Sequence, residues 1–307
     1  MDYAKYIEAF NTGDDAALVR DFFTPDVVFQ SGPRIVRGAH ELLKFLNWAH
    51  DGIRELIRAQ VVLRDEHHLF AEIDMDFVAT ADRPDFTFGA LKKGERTTVK
   101  FFAMYYLRDG KVAQLKTGRW DPKLGVTAAG APAHAVLGLG TAPDHADSHQ
   151  RASISPSVKA SGGAGSEPVP RLGGSPEQRQ AFMDYTRAFS NADFERFSRH
   201  YTDDACCQLA SLTLEGKQGI VGFYREMFET VRESLTLHQL VADDNGLAAD
   251  ITSRFTAIAD APGFVVAPLK KGEFVEVHVF VYYTLRDGKI ANIRVARAGP
   301  PSAPRRA

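Results

Sequence analysis

A stretch of 29 residues occurs twice in this chain. LKKGERTTVKFFAMYYLRDGKVAQLKTGR, Leu91 to Arg119, returns as LKKGEFVEVHVFVYYTLRDGKIANIRVAR, Leu269 to Arg297, 178 positions later, ungapped and with 15 identities. Each copy reads as two strands around a tight turn. Asp109-Gly110 and Asp287-Gly288 suit the two central positions of a hairpin that needs φ > 0 at both. Mid-strand, both faces are apolar: Phe101 and Tyr105 on one, Phe102 and Met104 on the other. Such a hairpin belongs inside a sheet, with a core on one face and a partner on the other.

The duplication extends beyond the hairpin. From Thr24 through Arg119 the second copy needs no gap, and Phe182, Tyr185, Ala188 and Phe189 match the first helix. Apolar periodicity predicts helices at Tyr3–Phe10, Ala16–Phe23 and Ala39–His50. Strands are expected at Val27–Gln30, Glu55–Arg64 and Leu69–Thr80, ahead of the hairpin. The plan is an α+β domain, used twice, with helices on one face of a curved sheet. The expected boundaries are domains at 1–126 and 175–299, joined by a linker at 127–174 rich in Ala, Gly, Ser and Pro, with a disordered tail at 300–307. A length of 307 residues agrees with two domains.

Strand Leu69–Thr80 alternates Ala71, Ile73, Met75 and Phe77 with Glu72, Asp74 and Asp76. With the apolar set in the core, the acids face outward. Asp74 or Asp76 is then expected to meet Arg254 or His278 of the other domain, and Phe102, Met104, Phe280 and Tyr282 to lie between the domains.

The net charge of −2 argues against nucleic acid as a partner. No apolar run approaches the roughly 18 residues of a membrane helix, and the start lacks a signal-peptide pattern. Cys206 and Cys207 are adjacent, too close for an ordinary disulfide, so a reducing, cytoplasmic setting is expected. No metal site is expected. His134, His145 and His149, within the linker, are irregularly spaced.

The segments YIEAFNTGDDAALVRDFF, TPDVVF, RGAHELLKF and YYLRDGKV make both halves resemble the SnoaL-like branch of the NTF2-like superfamily. The resemblance implies two tandem cones, each a bent sheet wrapped on helices around an apolar pocket, packed sheet to sheet as an intramolecular pseudo-dimer. The fold hosts isomerases, cyclases, dehydratases, epoxide hydrolases, other lyases and non-catalytic modules. Tyr6 falls on the helix-1 tyrosine of the ketosteroid isomerases, with Tyr185 in its place in the second half. Their base aspartate falls near Ser31 and Leu209, their second aspartate near Ala103 and Val281. Neither carboxylate is present.

Four residues are the catalytic candidates. His50, in NWAHDG, titrates near neutrality and has Asp51 beside it. Tyr6 and Tyr105 are phenol donors for developing negative charge on oxygen. Arg119, ending the last strand, suits a carboxylate or phenolate. Substrate contacts are expected from Leu46, Trp48, Phe86, Phe88 and Phe101 in the first half, and from Tyr185, Tyr224, Tyr283 and Arg297 in the second. The first half alone keeps His50, Trp48, Phe86 and Phe88 together; Phe228, Glu226, Phe264 and Val266 replace them. One active pocket and one structural pocket are therefore expected.

The leading functional expectation is a cofactor-independent lyase or isomerase on an apolar aromatic or polycyclic small molecule. The resemblance extends to lyases that release formaldehyde from lignin-derived diarylpropanes. The alternatives are a non-catalytic binding or interaction module, and a polyketide-type cyclase using Asp121.

Overall fold

The computed structural model describes residues 1–120, 169–209, 212–243 and 246–306. Most of the expected linker, with His134, His145 and His149, and also Asp121, lies outside them. In the first half, helices α1 (Tyr3–Thr12) and α2 (Asp15–Phe22) precede strands β1 (Phe23–Ser31) and β2 (Arg34–Arg37). Helix α3 (Ala39–Ala49) and strands β3 (Ile53–Arg64), β4 (His68–Ala79), β5 (Arg96–Arg108) and β6 (Lys111–Arg119) follow. The second half repeats this as α4 (Pro176–Ser190), α5 (Phe194–Ser198), β7 (Tyr201–Gln208), β8 (Thr213–Glu215), α6 (Gly216–Met227), β9 (Val231–Asp243), β10 (Gly246–Ala257), β11 (Glu273–Arg286) and β12 (Lys289–Arg297). Each half is a curved, mainly antiparallel sheet wrapped on helices, the tandem-cone plan.

Local chemistry sets the boundaries. The Asp2 carboxylate caps α1 by accepting from the Ala4 and Lys5 amides, and Gly13 at φ 81° ends it. Ser175 and Gln178 form a capping box at the start of α4. Asp109 (φ 52°), Gly110 (φ 75°), Asp287 (φ 54°) and Gly288 (φ 74°) all adopt the left-handed turn expected of them. Helix α5 is shorter than α2, five residues against eight, which absorbs the one-residue slip between the helical and strand parts of the repeat.

Alternation then sorts the side chains. Ala71, Ile73, Met75 and Phe77 enter the first cone's core, as do Val99, Ala103 and Tyr105. Phe102 and Met104 turn the other way and join Phe70, Trp120, Phe280 and Tyr282 in a separate buried cluster between the domains. Rings of Phe70 and Tyr282 are 5.4 Å apart across this contact, and the Trp120 ring stacks on Phe102 at 5.6 Å. Strands β6 and β12 pair at Arg119 and Arg297, so one sheet runs through both halves.

Two ion pairs across the interface obey a pseudo-twofold. Lys116 Nζ donates to Asp250 Oδ2 at 2.7 Å, and Arg294 Nη1 donates to Glu72 Oε2 at 2.5 Å. Both partners of the second pair are 178 positions from those of the first (294 − 116 and 250 − 72), as an isologous contact requires. These pairs correct the expected ones. Asp74 binds Lys100 at 2.6 Å, Asp76 binds Arg58 at 2.8 Å, Arg254 binds Glu276, and His278 binds Asp250 of its own domain. Asp74 lies directly opposite Arg58 and Lys100 on the neighbouring strands, so these cations reach it first.

Two boundary expectations also change. Leu172, assigned to the linker, is buried, and its amide donates to Gly288 O at 2.8 Å. The tail expected to be disordered instead returns to the sheet: β13 (Arg305–Arg306) pairs with β11, and Arg305 Nη2 donates to Glu276 Oε2 at 2.5 Å. Ser302 is bonded to the same β11 backbone. Among the described residues no helix is long and apolar enough to cross a membrane.

Gly118 marks the tightest approach of the halves. A Cβ there would meet Phe280 Cδ2 at 2.8 Å and Arg297 O at 2.9 Å. Gly118→Ala is expected to destabilise the chain by about 1–3 kcal/mol in urea unfolding, because backbone across the interface must move. The same exchange at the open Gly13 position is not the control, since φ is positive there; Gly222→Ala, in α6 with open space around it, should be neutral or stabilising.

Candidate functional site

The first cone encloses a cavity of about 370 Å³. Its floor is α1 and β5, its sides are α3 and β4, and its rim is the 80–95 loop. That loop is pinned where Arg83 and Leu91 pair, which swings Phe86 and Phe88 inward onto Phe77 at ring distances of 5.1 and 5.0 Å. Phe101 continues this wall at 6.0 Å from Phe88. Tyr6, Leu46, Trp48, Phe86, Phe88, Phe101 and Tyr105 all line the cavity. Trp48 sits at the mouth, 56% exposed, with the Arg34 guanidinium 4.8 Å from its ring.

His50 and Arg119 do not line it. Arg119 lies outside, its guanidinium 5.7 Å from the Phe88 ring. His50 closes α3 and stands behind the wall. Its Nδ1 is 2.8 Å from Asp15 Oδ2, at the start of α2, rather than bonded to the adjacent Asp51. Its Nε2 is 3.8 Å from Glu55 Oε2, and Glu55 does line the cavity. Glu55 lies on the inward side of β3 between Ile53 and Ile57, where alternation calls for an apolar residue. Burial opposes charge on His50, but the Glu55 and Asp15 carboxylates outweigh it and raise its pKa. Asp15 and His50 are thus hydrogen-bonded behind the wall, and Glu55, 3.8 Å beyond the unbonded Nε2, carries the line of polar groups to the cavity.

Opposite stands a tyrosine group. The Tyr3 and Tyr105 hydroxyls are 3.2 Å apart, and Tyr6 packs edge-on to Tyr105 at 5.7 Å. Burial pushes Tyr3 up to about 12 and raises Tyr6 and Tyr105 further. All three are neutral hydrogen-bond donors over the physiological range.

The second cone encloses a smaller cavity, about 160 Å³, lined by Tyr185, Tyr224, Tyr283 and Arg297, and also by Tyr201. Tyr201 and Tyr185 share a 3.0 Å hydrogen bond. Position by position, five polar residues of the first cavity's lining are replaced by aliphatic ones. Ser31, Arg34, Arg83, Thr87 and Thr117 correspond to Leu209, Leu212, Ala261, Val265 and Val295. Phe228 and Phe194 replace His50 and Asp15, with rings 5.7 Å apart. What survives is Glu233, the counterpart of Glu55. Burial drives its carboxyl up to about 7, with a hydrogen bond to Ser253 acting against the rise.

Glu55 and Glu233 are the functional candidates that sequence reasoning missed. The available signal was an acid at two positions 178 apart, each flanked at ±2 by apolar residues on an inward face. Among the described residues no group of His, Cys, Asp or Glu is arranged to hold a metal ion. Asp15 and Glu55 sit on opposite ring nitrogens of His50 rather than around one point.

The SnoaL-like domain model matches residues 3–115 and again 181–293. No curated protein matches the chain. Among solved structures, a proposed polyketide cyclase from Xanthomonas campestris pv. campestris is 25% identical, over 36% of this chain and 82% of its own, with a TM-score of 0.32. A second, from Pseudomonas putida, is 22% identical over 36% and 84%, TM-score 0.32. An LEH-like epoxide hydrolase from M. tuberculosis is 18% identical over 38% and 80%, TM-score 0.32.

Proposed function

Because this chain belongs to the SnoaL-like domain family and carries the domain twice, we propose that its first cone is a proton-transfer enzyme acting on an oxygenated aromatic small molecule. The observation that carries this reading is the Asp15–His50–Glu55 chain ending on a carboxylate inside an aromatic cavity. Glu55 takes a proton from the substrate. Tyr105 and Tyr6 donate to the oxygen on which negative charge gathers, where a buried donor is most effective. His50, held by Asp15, stands behind Glu55 with its Nε2 3.8 Å from the carboxylate. No cofactor is needed for such a step.

The reaction class we favour is elimination or isomerisation. For a phenolic diaryl diol the elimination balances as loss of one water and one formaldehyde, leaving a conjugated alkene between the rings. The test is incubation with such diols, following the new ultraviolet absorbance. Glu55→Gln should lower turnover by about 10²–10⁴-fold with an unchanged melting temperature. Full turnover in that variant overturns the assignment.

His50 has a separate signature. The Glu55 and Asp15 carboxylates outweigh burial and raise the pKa of His50, so a titration limb that belongs to His50 should leave the first cone's pH–rate profile in His50→Phe. A lowered rate with an unmoved limb would give His50 a packing role only.

A further inference from the structure

The second cavity is not a degraded copy of the first. A collapsed relic would be filled by side chains, or would keep a random subset of its polar groups. Instead Ser31, Arg34, Arg83, Thr87 and Thr117 of the first wall became Leu, Ala and Val together, while the tyrosines and one carboxyl stayed and a new hydroxyl, Ser253, came to stand beside that carboxyl. Met75 of the first cone corresponds to Ser253, so the hydroxyl beside Glu233 is a feature of the second cone alone. Glu233 is more than nine-tenths buried, lines the cavity and has Ser253 as its hydrogen-bond partner. A carboxyl has up to four acceptor sites, or a donor and acceptors when protonated, so one bond leaves capacity facing apolar space. Buried polar groups with spare capacity are costly unless something meets them.

We propose that the second cone is a binding pocket for a small monocyclic molecule carrying one hydroxyl, such as a simple alkylphenol, anchored on Glu233 and Ser253. The volume fits: an apolar protein cavity of about 150 Å³ stays dry and accepts a benzene-sized guest, and this one is about 160 Å³. The walls fit as well. Ile251, Val277, Val279, Val281 and Ile293 offer branched hydrocarbon surface to a ring. Entry lies past Val265, 39% exposed, and Arg297 at the rim. With neither His50 nor Asp15 equivalents, the pocket holds its guest without turning it over. This site does not depend on what the first cone does.

The probe is 4-ethylphenol, with ethylbenzene as the comparator lacking the hydroxyl, followed by calorimetry on the full chain. Wild type should bind 4-ethylphenol, at one equivalent in this pocket. Val279→Phe places in the second cone the ring that Phe101 supplies in the first, filling the space, and should abolish that binding. Glu233→Leu keeps the volume and removes the anchor. It should weaken 4-ethylphenol about tenfold while leaving ethylbenzene equal or tighter. Circular dichroism confirms that each variant is folded; should Val279→Phe not fold, Glu233→Leu alone decides. No saturable binding to wild type, a stoichiometry that does not fall by one equivalent in a folded Val279→Phe, or equal 4-ethylphenol affinity of that equivalent in Glu233→Leu would each overturn the proposal.

Discussion

Asp250→Ala is expected to destabilise the folded chain by about 3–5 kcal/mol. Asp250 is fully buried at the contact between the halves. It accepts from Lys116 Nζ and Tyr106 Oη of the first domain, both at 2.7 Å, and pairs with His278 of its own. Removing the acid leaves the Lys116 ammonium, itself mostly buried, facing low dielectric without its partner. Urea unfolding measures the loss, and Asp250→Ala combined with Lys116→Met should recover much of it. A single-variant cost below about 1 kcal/mol would mean that the interface rests on its apolar cluster alone.

The same residue predicts an acid limit. Burial alone would raise its pKa, but His278 and Lys116 hold it down at about 2, from an ordinary 3.8. A carboxylate depressed on folding contributes stability above the unfolded value and loses it as pH falls through the folded one. Roughly 2 kcal/mol should therefore disappear between about pH 4 and pH 2. Its pseudo-twofold mate Glu72 behaves oppositely, because burial outweighs Arg294 and raises its pKa. The difference follows from hydrogen bonding: three groups meet Asp250, and Arg294 meets Glu72.

Glu233→Gln is expected to stabilise the protein by about 3 kcal/mol at pH 8 and by almost nothing at pH 4. The wild-type carboxyl titrates at about 7 when folded, against an ordinary 4.5. Between those values the folded chain holds a proton that the unfolded chain releases. Stability therefore falls as pH rises through this window, and above 7 the whole penalty of a buried charge is present. Glutamine keeps the shape and a bond to Ser253 without ever ionising. Denaturation curves at the two pH values test this, and a gain independent of pH would show that ionisation is not its source.

The fold was readable because duplication supplied an internal alignment and period-two alternation supplied its two faces. Phe102 and Phe101 could be sent to opposite sides from the sequence alone, and the structure places them so. The interface ion pairs were not readable. Alternation says that Asp74 faces outward but not that Arg58 and Lys100 flank it in register. His50 stood out by its chemistry and its absence from the second half, yet its true partners are 35 residues before it and five after, across a helix packing that no local pattern encodes. Glu55 was hidden by the ordinary rule that strand acids are solvent-facing. The returning tail was missed because Pro-rich composition signals disorder, whereas Arg305 meets Glu276 and, with Arg306, pairs along β11.

Joining the two cones in one polypeptide has a consequence for how such a protein can change. In a homodimer every mutation is inherited by both subunits, so whatever one pocket gains or loses the other must share. Here the isologous surface that holds the halves together has stayed nearly symmetric, Lys116 with Asp250 and Arg294 with Glu72. Behind it the interiors were released from copying one another, so a larger chamber backed by His50 and a smaller, more aliphatic one coexist in a single molecule. Fusion preserved the handshake and let the two hands take up different trades.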